Sequence, residues 1–181
     1  MTTYLAMLRG INVGGKALVK MDALRLLVTG LEHSNVSTYI QSGNVIFDSR
    51  KGTAATIAAG IEARIVTDLG MQVSVMVRSG DELAGIVQKN PFLPGADPAT
   101  LYVIFLASPP EGASLTRLDP KQVVPDEFRV VGRDIYARYP NGYGRSKMTN
   151  TFFENRLRLR GTARNWNTVL KLATLAGAKG K

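Results

Sequence analysis

The sequence predicts an α+β protein of two tandem ferredoxin-like lobes, each a β-α-β-β-α-β unit with helices packed on one face of an antiparallel sheet. Three observations lead there. Strand-like apolar stretches and helical 3.6-residue patterns alternate in the same order twice along the chain. A break rich in proline and glycine, Asn90 to Pro98, separates the two runs. With 181 residues, 45% of them apolar, the chain is one large domain or two small ones with a sizeable core.

Thr3 to Arg9 reads as a short buried strand, followed by a Gly-rich loop from Gly10 to Gly15. Met21, Leu24, Leu27, Val28 and Leu31 recur at helical spacing. Val36 to Ile40 and Val45 to Phe47 read as strands joined by Gln41-Ser42-Gly43-Asn44, a turn in which Gly43 and Asn44 tolerate positive φ. Ile57, Ile61, Ile65, Val66 and Leu69 mark a second helix, Val73, Val75 and Val77 an alternating strand, and Asp81 to Lys89 a third helix. The three prolines of Asn90 to Pro98 cannot sustain a helix or a central strand, so residues 1–92 and 98–181 are taken as two lobes.

The second half repeats the order. Tyr102 to Leu106 is its first strand, and a short helical piece is expected near Arg117 to Val123. Phe128 to Val131 and Ile135 to Tyr139 form a hairpin across Gly132-Arg133. Met148, Phe152, Phe153 and Leu157 give a helix with an aromatic face. An extended piece, Leu159 to Ala163, leads into a last helix with Trp166, Val169, Leu170 and Ala173 on one side.

Charge is distributed unevenly. Arg129 to Lys181 holds 12 basic and 2 acidic residues, net +10, against net −1 for everything before it. Like charges crowded together repel, so such a field points either to an anionic partner or to a solubilising, poorly ordered tail. Other classes are disfavoured. No stretch approaches the roughly 20 apolar residues that cross a bilayer, and no basic segment leading into a long apolar run marks a secretory signal. A cytoplasmic, bacterial-type protein is expected. The absence of cysteine removes disulfides and thiolate chemistry, and one histidine, His33, gives no metal centre.

Five motifs carry candidate chemistry. Gly10 to Lys16 has the spacing of a phosphate-binding P-loop, but Ala17 stands where a magnesium-binding Ser or Thr belongs, and the helix starts only near Met21. The segment is therefore a non-catalytic anion cradle using Lys16, or a tight strand-to-helix crossover. The amides of Gln41 to Asn44 bind a ligand or satisfy their own turn. Tyr139 to Lys147 places Arg145 and Lys147 beside an expected helix start at Ser146, with Tyr139 and Tyr143 offering stacking faces or packing on the core edge. Arg164 precedes the expected N-cap Asn165, where a cation opposes the helix dipole; an anionic ligand or an ion pair with an acid such as Glu154 would explain it. Arg156, Arg158 and Arg160 form a basic stripe, suited to phosphate or simply to a solvated helix end. Trp166 reads as core.

Leu8-Arg9-Gly10-Ile11-Asn12-Val13-Gly14-Gly15-Lys16, Tyr39-Ile40-Gln41-Ser42-Gly43-Asn44-Val45, Ser146-Lys147-Met148-Thr149-Asn150 and Thr162-Ala163-Arg164-Asn165-Trp166-Asn167-Thr168 together resemble the bacterial DUF1697 family. The resemblance spans nearly the whole chain. It implies a compact two-lobed α+β fold, no assigned activity and no agreed catalytic residues.

The expected function is non-catalytic binding of a phosphate-bearing partner, nucleic acid or nucleotide, by Arg145, Lys147, Arg164, Arg156 and Arg160, with Tyr143 stacking and Asn165 and Lys16 as further contacts. Two alternatives stay open. One is an enzyme acting on a small phosphorylated or carboxylated metabolite in a groove between lobes, with Glu154 as acid or base. The other is a scaffold or homodimer without a small ligand. No cofactor, metal or membrane partner is expected, and the sequence leaves the oligomeric state open.

Overall fold

A computed structural model describes residues 1–15 and 17–177. The chain divides into two compact units, Met1–Gly85 with the chain from Lys171 onward, and Ile86–Leu170. The sequence places the divide at Asn90 to Pro98; by contacts the change of unit falls at Ile86, and the end of the last helix returns to the first unit.

The first unit runs β1 (Thr2–Leu8), α1 (Met21–Thr29), β2 (Ser34–Tyr39), β3 (Asn44–Ser49), α2 (Ala54–Leu69), β4 (Val75–Ser79) and α3 (Gly80–Gln88), the last continuing into the second unit. Its sheet has the order β2-β3-β1-β4, all neighbours antiparallel. Strand β1 is central: Leu5 lies opposite Ile46 of β3 and Arg78 of β4. Alternation sends Ala6, Leu8, Val45, Phe47, Val75 and Val77 to one core, where they meet Leu24 and Val28 of α1 and Ile57, Ile61 and Ile65 of α2. Each isoleucine so buried contributes about 1.5–3 kcal/mol. Leu5, Met7, Ile46 and Met76, of opposite parity, are buried too. That is why these strands read as apolar runs rather than strict alternation. Helix α2 starts at a capping box: Thr53 Oγ1 accepts the Thr56 N–H at 3.3 Å and Thr56 Oγ1 accepts the Thr53 N–H at 2.8 Å.

The second unit runs β5 (Leu101–Leu106), α4 (Gly112–Leu115), β6 (Glu127–Val131), β7 (Asp134–Arg138), α5 (Asn150–Leu157), β8 (Gly161–Asn165) and the start of α6 (Trp166–Leu175). Its sheet, β6-β7-β5-β8, is again wholly antiparallel. Ile104, Leu106, Ile135, Ala137, Met148 and Phe153 are at its core. The chain is thus mixed α+β with two four-stranded antiparallel sheets.

Several local expectations change. The helix expected at Arg117 to Val123 is a four-residue helix earlier in the chain, α4, plus one 3₁₀ turn at Pro120–Gln122. Proline, lacking a donor and fixing φ, keeps this segment from propagating a helix. The helix expected to open at Ser146 begins at Asn150, capped by Thr149, whose Oγ1 accepts the Phe152 N–H at 3.3 Å. On α6 the buried face is Trp166, Val169, Leu172 and Ala173, while Leu170 is 38% exposed. Asn165 does cap that helix, its Oδ1 accepting the Thr168 N–H at 2.8 Å.

Candidate functional site

Among the basic motifs, one builds a concave site. Strand β7 runs into Tyr139, whose ring is fully buried and whose hydroxyl donates to the Met148 carbonyl at 2.9 Å. That bond fastens both ends of the loop 140–147. Burial pushes the Tyr139 phenol far above its ordinary pKa, with the neighbouring Tyr143, Asp126 and Tyr102 adding to the shift, so its proton stays in the bond. Tyr143 stacks on Tyr102 at 4.9 Å between centroids and meets Tyr139 edge-on at 5.1 Å. The aromatic trio anchors the loop while Arg145 and Lys147 stay exposed. Ser146 lies between them. Its hydroxyl donates to the Asp126 carboxylate and accepts the Met148 N–H at 2.8 Å.

Ser146 therefore pins the loop to the segment before β6, and a cleft of about 210 Å³ lies where the two meet. Arg145 and Lys147 line it from the loop; Val124, Pro125 and Asp126 line it from the other segment. Val124 is 75% exposed, so the second wall presents bare apolar surface. Gln122 also lines the cleft, and its Oε1 accepts from Arg156 Nη2 at 3.1 Å. The Arg156 guanidinium rests 3.7 Å from the Phe152 ring centroid, so Arg156 borders the same region without an acid to neutralise it among the described residues. Arg145 and Lys147 likewise form no ion pair among the described residues.

The other expected contacts go elsewhere. Arg164 is not a surface cation: it is 7% exposed on β8 and donates to Thr162 Oγ1 at 2.7 Å and the Ala163 carbonyl at 2.8 Å. Desolvation lowers its pKa to about 10. Tyr139 is core rather than a stacking face, and one face of Tyr143 is covered by Tyr102. Asn165 caps α6 with its side-chain oxygen. The stripe Arg156, Arg158, Arg160 is broken because helix α5 ends at Leu157 and Arg158 turns left-handed, φ 55°. Neither helical nor extended periodicity survives that turn. Arg158 and Arg160 line a separate depression with Glu154. Glu154, the sequence's candidate acid or base, is buried and accepts the Gly161 N–H at 2.9 Å.

In the first unit the two glycine motifs lock onto each other. Asn12 Nδ2 donates to the Val19 and Gln41 carbonyls at 2.9 and 2.8 Å, and its Oδ1 accepts the Val19 N–H at 2.8 Å. Gly43, at φ 75°, lies against Ile11 and Leu8. Asn44 is fully buried and donates to Ser42 Oγ and the Tyr39 carbonyl. These bonds account for the Asn44 amide without a ligand, while the Gln41 side chain is exposed. Lys16 lies outside the described residues. The sequence reading missed Gln122, Val124 and Asp126. Their only signal was a proline-flanked loop 20 residues before Ser146, and no local periodicity links such segments. No helix among the described residues is long and apolar enough to cross a membrane, and among them no group of three His, Asp or Glu side chains is placed to hold a metal ion.

Fold and site together define an α+β protein with two four-stranded antiparallel sheets and a cation-lined cleft in the second unit. Residues 1–136 match the family described as "Protein of unknown function (DUF1697)", and the chain belongs to it. The motifs at Ser146–Asn150 and Thr162–Thr168 lie beyond the matched span. A solved structure, that of the conserved bacterial protein SP0830 from Streptococcus pneumoniae, aligns over 97% of this chain and 98% of its own, with a TM-score of 0.75 at 24% identity. That likeness concerns the fold. No curated protein matches the chain.

Proposed function

We propose that the protein is a non-catalytic binder of a phosphate-bearing ligand, held by Arg145 and Lys147 in the cleft of the second unit. The observation that carries this is the pairing of two exposed cations, neither in an ion pair among the described residues, on a loop fastened from beneath by Tyr139, Tyr143 and Ser146. Such a loop holds the backbone beneath both charges, so only the two side chains remain to be ordered on binding. Arg156, touching the cleft through Gln122, extends the positive field. Side chains suited to chemistry are engaged in holding structure. Ser146 is hydrogen-bonded on both sides. The ferredoxin-like reading of each lobe belongs to the same proposal. It is supported by the element order β-α-β-β-α-β and by the repeated strand order.

The test is calorimetric titration with nucleoside monophosphates and with a short single-stranded oligonucleotide, comparing the natural chain with Arg145→Ala/Lys147→Ala. A charge-assisted hydrogen bond to phosphate contributes about 1.5–3 kcal/mol, so each lost cation should weaken binding roughly tenfold or more. Affinity for an oligonucleotide should also fall with salt, by a log–log slope of about −0.7 per phosphate contacted. Binding unchanged in the double variant would refute the assignment to this cleft, and no binding of any phosphate-bearing probe would refute the function.

A further inference from the structure

We infer that the cleft selects a guanine nucleotide, with Arg145 and Lys147 on its phosphate and Asp126 on the edge of its base. This rests on the phosphate reading above and adds the identity of the rest of the ligand.

The cleft is not uniformly cationic. Asp126 lines it, and an ionised carboxylate only accepts hydrogen bonds. A ligand that is nothing but phosphate would be attracted by Arg145 and Lys147 and repelled by Asp126. The matching ligand carries an anionic group at one end and N–H donors at the other. Asp126 has capacity for those donors. Ser146 occupies Oδ2, Oδ1 has no partner among the described residues, and a carboxylate accepts about four hydrogen bonds in all.

The remaining wall narrows the chemistry further. Val124, 75% exposed, and Pro125 offer an apolar surface beside the charged groups, which suits a flat heterocycle better than a sugar or a polyamine. At about 210 Å³ the cleft is smaller than the roughly 300–1,000 Å³ of drug-sized sites, so it takes at most one nucleotide, part of which lies outside it, and not a run of stacked bases.

Donor patterns then separate the bases. Guanine alone presents two adjacent donors, N1–H and the N2 amine, which fit the two oxygens of a carboxylate as a fork. Adenine and cytosine place a ring-nitrogen acceptor beside their amine, and that acceptor would face the Asp126 lone pairs. Uracil sets one N–H between two carbonyls. Gln122 agrees with this choice. Arg156 can only donate, so the Gln122 oxygen faces Arg156, and the amide NH₂ of this cleft-lining residue remains a donor. Guanine, whose O6 lies next to N1–H, offers that donor an acceptor in addition to the two donors it gives Asp126.

The experiment is calorimetric titration of the full chain with guanosine, inosine, xanthosine and adenosine 5′-monophosphates and with inorganic phosphate. Guanosine monophosphate should bind about tenfold or more tightly than adenosine monophosphate, with inosine monophosphate, which lacks the N2 amine, in between and inorganic phosphate weakest. Asp126→Asn replaces one acceptor by a donor and should reverse the order of guanosine and xanthosine monophosphates, because xanthine carries a carbonyl where guanine carries the amine. Asparagine can still accept from Ser146, and the comparison of bases on the natural chain needs no variant. Equal affinity for guanosine and adenosine monophosphates, or for guanosine and inosine monophosphates, would overturn the base assignment and leave the phosphate site standing. An unchanged order in Asp126→Asn would do the same. Failure of every nucleotide and of inorganic phosphate to bind would overturn both readings.

Discussion

Replacing Gly43 by alanine should destabilise the first unit by about 2–5 kcal/mol, and the components can be separated. Gly43 has φ +75°, and a left-handed alanine costs about 1–2 kcal/mol. An added Cβ would lie 2.7 Å from Ile11 Cδ1 and 2.9 Å from both Ile11 Cγ1 and Leu8 Cβ. Ile11 and Leu8 are each 1% exposed, and Leu8 Cβ is fixed to the backbone of central strand β1. Relief therefore requires the turn to move, which carries an overpacking cost of about 1–3 kcal/mol. Movement would also stretch the bond from the Leu8 N–H to the Gly43 carbonyl, now 2.8 Å. Gly70, the left-handed C-cap of α2, supplies the control. Its φ is +64° and its ψ 20°, with nothing within 4 Å of an added Cβ, so Gly70→Ala should show only the conformational cost, about 1–2 kcal/mol. Urea unfolding followed by circular dichroism measures both. In thermal melts the difference should appear as roughly 2–4 °C per kcal/mol for a chain of this size. Equal losses in the two variants would show that the close approach of the turn to Ile11 and Leu8 contributes nothing, and the case for a purely structural Gln41 to Asn44 turn would go with it.

Two further outcomes are expected. His33 stacks on Phe47 at 4.6 Å, and burial lowers its pKa below the ordinary 6.5. Between that lowered value and 6.5 the unfolded chain binds more protons, so the His33 contribution to stability is complete above about pH 6.5 and is lost as pH falls through the folded value. An NMR titration of this one imidazole with a midpoint at or above 6.5 would contradict the account. Arg158→Gly relieves a left-handed non-glycine residue at the end of α5, φ 55°, and should raise the urea midpoint by the equivalent of about 0.5–1 kcal/mol while leaving nucleotide affinity unchanged, since Arg158 does not line the Arg145–Lys147 cleft.

Order and type of most elements were legible because they follow from period alone. Leu24, Leu27 and Val28 recur at helical spacing and are buried on α1, and the Gly132-Arg133 hairpin closes Val131 against Asp134 as the flanking pattern implies. Failures cluster where a single residue overrides the pattern. Arg158, left-handed just after α5, breaks the arginine stripe that either regular geometry would give, and Thr149 takes the cap expected at Ser146, which bonds instead to Asp126, a partner 20 residues away. The site was half legible for the same reason. Tyr139 to Lys147 announces itself by composition, whereas Gln122, Val124 and Asp126 become relevant only once β6 and β7 pair and bring their loop beside it.

Net charge was the strongest sequence signal, and the structure shows why it needs dividing before it means anything. Part of the basic third is engaged in holding the fold: Arg164 is buried, Arg138 donates to Glu127 at 2.6 Å, and Arg129 lies 5.7 Å over the Phe92 ring. Each such side chain has its guanidinium matched to a local acceptor, acid or ring, and swapping it for alanine would report on stability before binding. Arg145 and Lys147 differ in kind. Their backbone is held by Tyr139, Tyr143 and Ser146, while their side chains form no ion pair among the described residues. A backbone held beneath the cations favours an anion without adding a contact, because the loop's share of the ordering cost is met during folding and only the two side chains remain to be ordered. The distinction between structural and available charge, rather than the total of +9, is the ground for proposing this cleft as the ligand site.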